Sequence, residues 1–317
     1  MTFLFEAAQI DEEQLRSEVE TVLPDYLDRP LDGNWIRELN RERGTDFASM
    51  LLREWCMRSG ANGPFYRDFQ RPMDHVESRA EDDLSVLILP TMFYREHPEI
   101  GGDGILFSSV AARHGIRTSL VPLPSLGSVD ENADILLDHF SRLRSHNVWV
   151  ISFSKGAADF KRAILKDSDA VLPHLAGWLN VGGTVGGTHL TDSGSLNPLK
   201  HMMMKSWIRI RGGSGKLTEE INRSHPFSRA TLQLPPSIEV INLVGLPLKC
   251  HLRKPLVTTY SHLSQWGPND GVVLIEDAVS IGGHIVPLWG ADHYLRVPGL
   301  SAFAHQFFRH LLAKVPV

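Results

Sequence analysis

A chain of 317 residues, 42% hydrophobic and 22% charged, has the composition of a soluble globular protein and the length to bury a sizeable core. Its formal net charge of -5 implies no general electrostatic attraction to nucleic acid. Two cysteines, Cys56 and Cys250, are too few for a disulfide framework; both are expected reduced, with a single bridge left open.

The chain starts MTFLFEAAQIDEEQ, which lacks a basic start and has too short an apolar run for a signal peptide. No apolar run approaches the roughly 18 residues of a spanning helix. These features lead to the expectation of a cytoplasmic protein with no transmembrane segment. Residues 1–80 read as an N-terminal helical extension, because DEEQLRSEVETVL and NWIRELNRERGTDFASMLLREWCMRSG have helical spacing. RPMDHVESRAEDD follows as an acidic connector.

From residue 84 the pattern changes. LSVLILP (84–90) reads as a strand, and DGILFSSVAARHG (103–115) as a helix with Gly115 as its C-cap. IRTSLVPLP (116–124) is a strand again. ENADILLDHFSRLRSH (131–146) is amphipathic, with Ile135, Leu136, Phe140 and Leu143 on one face. VWVISF (148–153), the helix GAADFKRAILK (156–166) and the strand WLNVGG (178–183) come next. EVINLVG (239–245) and HIVPLWG (284–290) are the last two strands. This alternation predicts an α/β fold with a mostly parallel central sheet and helices on both faces. The rhythm breaks at about 184–238, an insertion that is either a cap or lid over a site or an irregular excursion.

The junction Ser152-Phe153-Ser154-Lys155-Gly156 lies between a strand and a helix. A sharp strand-to-helix turn lifts one side chain at its tip and needs small neighbours two positions either side. Gly156 fits the pattern G-x-S-x-G and Ser152 is small without being glycine. Ser154 is therefore a candidate nucleophile, and the Lys155 N–H a candidate oxyanion donor. The alternative is a serine that only caps a helix.

A nucleophilic serine needs a base, and the base an orienting carboxylate. In a doubly wound sheet these sit on loops after later strands. His293 follows the last strand in Gly-Ala-Asp-His, and Asp270 lies in the turn Pro-Asn-Asp-Gly before it. The chain order Ser154, Asp270, His293 is the order expected for this arrangement. With SFSKG, PNDGVV and GADH in hand, residues 84 to 317 resemble the α/β-hydrolases of the serine esterase and lipase type. The resemblance implies a second oxyanion donor just after the third strand of that fold. Here the position reads Pro90-Thr91-Met92, without the frequent His-Gly, so Met92 is the implied donor and Phe93 the next candidate. Residues 81–317 would then form the hydrolase domain.

Other residues compete. His262, His189 and His97 read as a loop, a flexible Gly-rich turn and a structural position respectively. Glu276 and Asp277 read as solvated, and Asp292 adjoins His293 too closely to orient it. Lys155 either offers a positive charge to the pocket or is a surface lysine. RGGSGKLT (211–218) fails as a phosphate loop, because Ile210 and Leu217 stand where glycine and Ser/Thr are needed. Arg209, Arg211 and Lys216 then form a solvated basic face. No HExxH or paired CxxC supports a metal. Met202–Met204 offers an apolar surface to an acyl chain or packs the insertion. The expected reaction is hydrolysis of a carboxylic ester or thioester through a Ser-His-Asp triad, on a small-molecule or lipid-like acyl substrate, with no cofactor. An acyltransferase with the same three residues, amide or peptide cleavage, and a non-catalytic binding protein are the alternatives.

Overall fold

The computed structural model describes residues 12–71, 84–191, 206 and 208–314. Six strands form one all-parallel sheet: β1 (Leu84–Leu89), β2 (Thr118–Leu120), β3 (Asn147–Phe153), β4 (Leu175–Val181), β5 (Glu239–Leu246) and β6 (His284–Trp289). Their spatial order is β2-β1-β3-β4-β5-β6. The inner strands are covered on both faces, so they read in sequence as unbroken apolar runs. β2 is shorter than expected. It is an edge strand, and Pro122 and Pro124 end its capacity to donate to a ladder. β6 keeps Pro287 because it forms the other edge.

Alternate residues point to opposite faces. Val86, Ile88, Ile151, Leu243 and Val286 pack under α5 (Ile105–Arg113) and the C-terminal helix Gly299–Ala313. Leu87, Val150 and Trp178 pack under α6 (Val129–Ser141) and α7 (Lys155–Lys166). α5 ends as expected. Gly115 has φ +70°, Ile116 N–H reaches Ala111 O and Gly115 N–H reaches Ala112 O, which closes the last turn. On α6 the inward stripe is Ala133, Leu136 and Phe140, with Leu143 packed against it just past the helix end. Ile135 departs from expectation: it is 36% exposed, since it lies about 100° around the helix from Leu136.

The N-terminal region is helical, as its spacing predicts, with α1 (Glu12–Val22), α2 (Gly33–Arg43), α3 (Thr45–Arg58) and α4 (Gly63–Gln70). Gly44 splits the second expected helix in two. Val19, Trp35, Leu39, Leu51 and Trp55 share a core with Val244, Leu246 and Ile285, so this region is part of the sheet's packing. Most of the acidic connector, residues 72–83, lies outside the described residues, as do Met202–Met204. Cys56 is buried, Cys250 is exposed, and both thiols are free, so the open bridge is absent. No helix among the described residues is long and apolar enough to cross a membrane.

Two buried asparagines do structural work. Asn180 on β4 faces Asn242 on β5 and donates to its Oδ1 at 2.8 Å and to Ala278 O at 2.7 Å. Asn62, between α3 and α4, meets the free edge of β6. Its Oδ1 accepts from Ile285 N–H at 2.9 Å and its Nδ2 donates to Ile285 O at 2.8 Å. The side-chain amide thus stands in for a further strand. Asn62→Ala leaves this N–H and C=O unpaired in a dry site. Urea unfolding is expected to show a loss of about 2–4 kcal/mol with an unchanged slope. A loss below about 1 kcal/mol would mean that the edge is satisfied without Asn62.

Candidate active site

The chain runs from β1 outward to β2 and then back across to β3, so β1 and β3 leave the sheet in opposite connection senses. Such a switch point opens a crevice at the strands' carboxyl ends. Ser154 follows β3 in that crevice, and the 91–104 loop follows β1. Ser154 has φ +47° and ψ −112°, a conformation that costs a non-glycine residue on the order of 1–3 kcal/mol. Three backbone bonds hold it. Its N–H donates to Val181 O at 3.0 Å, and its carbonyl accepts from Ala157 N–H and Thr184 N–H, each at 3.1 Å.

The small neighbours have identifiable reasons. A Cβ at Gly156 would stand 2.7 Å from Leu89 O and 2.8 Å from Pro90 O, both backbone atoms. Ser152 is fully buried, and its hydroxyl accepts from Trp178 Nε1 at 2.8 Å. The departure from glycine at 152 therefore satisfies a buried indole N–H.

Ser154 Oγ lies 2.9 Å from His293 Nε2, and His293 Nδ1 lies 2.7 Å from Asp270 Oδ2. Asp270 is 1% exposed, and its second oxygen accepts from the N–H groups of Val272 and Val273 at 2.9 and 2.8 Å. An ionised carboxylate only accepts, so the Nδ1 of His293 carries the proton and Nε2 accepts from the serine hydroxyl. Burial opposes the charged imidazole, yet the charge and hydrogen bond of Asp270 outweigh it and hold the His293 pKa above its ordinary 6.5. The loop that carries His293 folds back over β5. It passes so close that a Cβ at Gly245 would stand 2.5 Å from Ala291 O.

Lys155 is the first residue of α7, so its N–H has no acceptor within the helix and faces the cavity at Ser154 with the helix's positive end. Met92 lines the same cavity, and no acceptor among the described residues takes its N–H. Phe93 has φ +67° and sits beside it. The Lys155 side chain departs from both expectations. It is neither on the surface nor aimed at a ligand: it is 3% exposed, and its Nζ lies 2.8 Å from both oxygens of Asp159. Asn132 donates to the same carboxylate at 2.8 Å.

The cavity at Ser154 has a volume of about 880 Å³. Leu106, Phe107, Phe153, Val181 and Leu300 make much of its wall apolar, and Thr184, Thr188 and Ile221 from the 184–238 segment close one side. The described residues of that segment are packed against the rest of the fold. Leu217, Ile221 and Phe227 share a core with Val129 and Ala158. Lys161 of α7, buried, donates to Val185 O and Ser228 O at 3.0 Å each, near the two ends of the segment. Burial lowers its pKa to about 8.

The competing residues go elsewhere. Glu276 and Asp277, expected to be solvated, are ion-paired. Arg37 holds Glu276, and Arg223 bridges Glu276 and Asp277. Burial pushes Asp277 up to about 7 despite Arg223. Asp292 accepts from Tyr294 N–H instead of orienting His293. His189 is not in a flexible turn: it is buried and stacked on Trp266 at 4.1 Å, with His262 edge-on to the same ring. His97, expected to be structural, stands at the cavity wall with its ring 2.9 Å from Glu99. Glu12, Cys250 and His251 bring three possible ligand atoms together, but His251 Nε2 contacts Glu12 and its Nδ1 accepts from Leu248 N–H, so both ring nitrogens are engaged. Sequence reasoning missed the buried Lys155–Asp159–Asn132 cluster beneath Ser154 and the clamp from Thr184. The i, i+4 spacing of Lys155 and Asp159 was the signal available for the first.

No family model matches the chain, and no curated protein matches it in sequence. Solved structures do. The fold superposes on a metagenomic carboxyl esterase with a TM-score of 0.56 at 19% identity, over 77% of each chain. It superposes on the mature form of the Bacillus licheniformis lipase BlEst2 with a TM-score of 0.54 at 17% identity, over 75% of this chain and 96% of the lipase. Identity this low speaks to architecture alone. Sheet order, switch point and structural likeness together establish that the chain has the α/β-hydrolase fold.

Proposed function

We propose that the protein is a serine hydrolase that cleaves a carboxylic ester or thioester through an acyl-enzyme intermediate. The observation that carries this reading is the hydrogen-bonded line from Ser154 Oγ through His293 to Asp270, at 2.9 and 2.7 Å. It opens on a cavity with an apolar wall suited to an acyl group. In the proposed reaction Ser154 Oγ bonds to the carbonyl carbon as its proton passes to His293 Nε2. Asp270 stabilises the imidazolium that forms. The N–H groups of Lys155 and Met92 receive the oxyanion, a contribution of about 2.7–4 kcal/mol for each donor. Collapse breaks the bond to the leaving group, which takes the proton from His293. Water then attacks the acyl-enzyme, again giving a proton to His293, and Ser154 departs with that proton. The described part of the 184–238 segment, which reaches the cavity through Thr184, Thr188 and Ile221, serves as a cap at this site.

Hydrolysis of 4-nitrophenyl octanoate tests the reading. Ser154→Ala is expected to lower kcat by about 10⁴-fold or more while the protein stays folded. A loss under about tenfold would remove Ser154 from the chemistry.

The pH profile tests His293 separately. Protonated His293 cannot take the serine proton, and Asp270 favours the protonated form. The acid limb of kcat/KM is therefore expected to have its midpoint above 6.5, and Asp270→Asn to move it downward. A midpoint below 6.5 in the parent, or one unmoved in Asp270→Asn, would contradict the assignment of His293 as base.

A further inference from the structure

The cavity wall carries both apolar residues and cations, and the reaction decides which part of the substrate each meets. The following rests on the serine-hydrolase reading. His293 must protonate the departing oxygen or sulfur, so the leaving group lies on the His293 side of the scissile bond. The apolar wall formed by α5 and the start of the C-terminal helix, with Leu106, Phe107 and Leu300, is left for the acyl group.

The His293 side carries positive charge. Arg296, three residues beyond His293, and Lys254, on the loop after β5, both line the cavity. Tyr294 packs against the cluster of Leu252, Leu256 and Tyr260, two of which flank Lys254 in sequence, and the Arg296 guanidinium lies over the Tyr294 ring at 4.8 Å. The Arg296 side chain is 60% exposed, and its ion-pair partner among the described residues, Asp292, is 3.8 Å away. That long contact leaves most of the guanidinium donors available. Lys254 is exposed and forms no ion pair among the described residues. Among the described residues the one acid on the cavity wall, Glu99, belongs to the loop after β1, where His97 contacts it. The chain as a whole has a net charge of -5, so these two cations on the cavity wall are a local feature and not a reflection of the overall charge.

We infer that the substrates have an apolar acyl group and an anionic leaving group, an alcohol or thiol bearing carboxylate or phosphate, received between Lys254 and Arg296.

The test compares esters with the same acyl chain: 2-nitrophenyl octanoate, 4-octanoyloxy-3-nitrobenzoate, and the analogue with phosphate in place of the carboxylate. The readout is the ratio of kcat/KM for a charged ester to that for the neutral one. This ratio cancels any loss of fold or chemistry common to both. The parent is expected to favour a charged ester through KM, and added salt to erase the preference. Lys254→Glu combined with Arg296→Glu is expected to lower the ratio by about three- to tenfold, the size of two solvent-exposed charge contacts. Arg253→Glu, a single charge reversal at a residue next to Lys254 that does not line the cavity, is expected to keep the parent's ratio. If the double variant fails to fold, Lys254→Gln with Arg296→Gln gives the same readout. The relative rates of the two charged esters identify the preferred anion.

A parent that prefers the neutral ester, or a preference that survives in the double variant, would overturn the inference while leaving the hydrolase reading intact. Turnover that survives in Ser154→Ala would instead strike the hydrolase reading itself.

Discussion

The site depends on one strained residue. Ser154 sits at φ +47° between β3 and α7, and the geometry around it follows from that turn. The turn lifts the hydroxyl clear of the sheet and points the Lys155 N–H along the helix axis toward the same space. It also brings α7 so close to the end of β1 that position 156 has room only for glycine. Strain of this size persists because the surroundings over-determine it. Val181 and Thr184 clamp the backbone, Trp178 fixes Ser152 below, and the buried Lys155–Asp159 pair, with Asn132, anchors the first turn of the helix.

The remaining groups are delivered by other parts of the fold. β6 lies three strands from β3, yet its loop crosses back over β5 to set His293 beside Ser154. Asp270 is held by two backbone N–H groups, and the segment after it is tied to the sheet by Asn180 and to the N-terminal helices by Arg37. The N-terminal region thus supports the sheet edge from which His293 and Asp270 emerge. In the proposed chemistry this matters because the alignment of base and orienting carboxylate must hold without the substrate's help.

Much of the architecture was legible because both faces of the sheet are buried. Such strands appear as LSVLIL, VWVISF and VINLVG, and the intervening helices as period-3.6 stripes. The strand-to-helix turn at Ser154 was legible because it demands small residues at fixed offsets, and the grouping of Asp270 and His293 with it because they follow strands in the order that such a turn leads one to expect. What escaped reading depends on long-range contact. Nothing local marks Ile135 as the outward member of Ile135-Leu136, or shows that Lys155 turns inward to Asp159. The ion pairs of Glu276 and Asp277 with Arg37 and Arg223 join segments far apart in the chain, so a local reading took those acids for solvated ones. Lys254 and Arg296, 42 residues apart in the chain, reach the same cavity wall only through the fold.

The central claim is that Ser154 is an activated nucleophile. Exposure to a fluorophosphonate followed by intact-mass analysis and peptide mapping tests it without knowledge of the substrate. The account predicts a single adduct on the peptide containing Ser154, absent in Ser154→Ala and formed much more slowly in His293→Ala. An adduct on another residue, or a folded protein that reacts no faster than free serine, would contradict it.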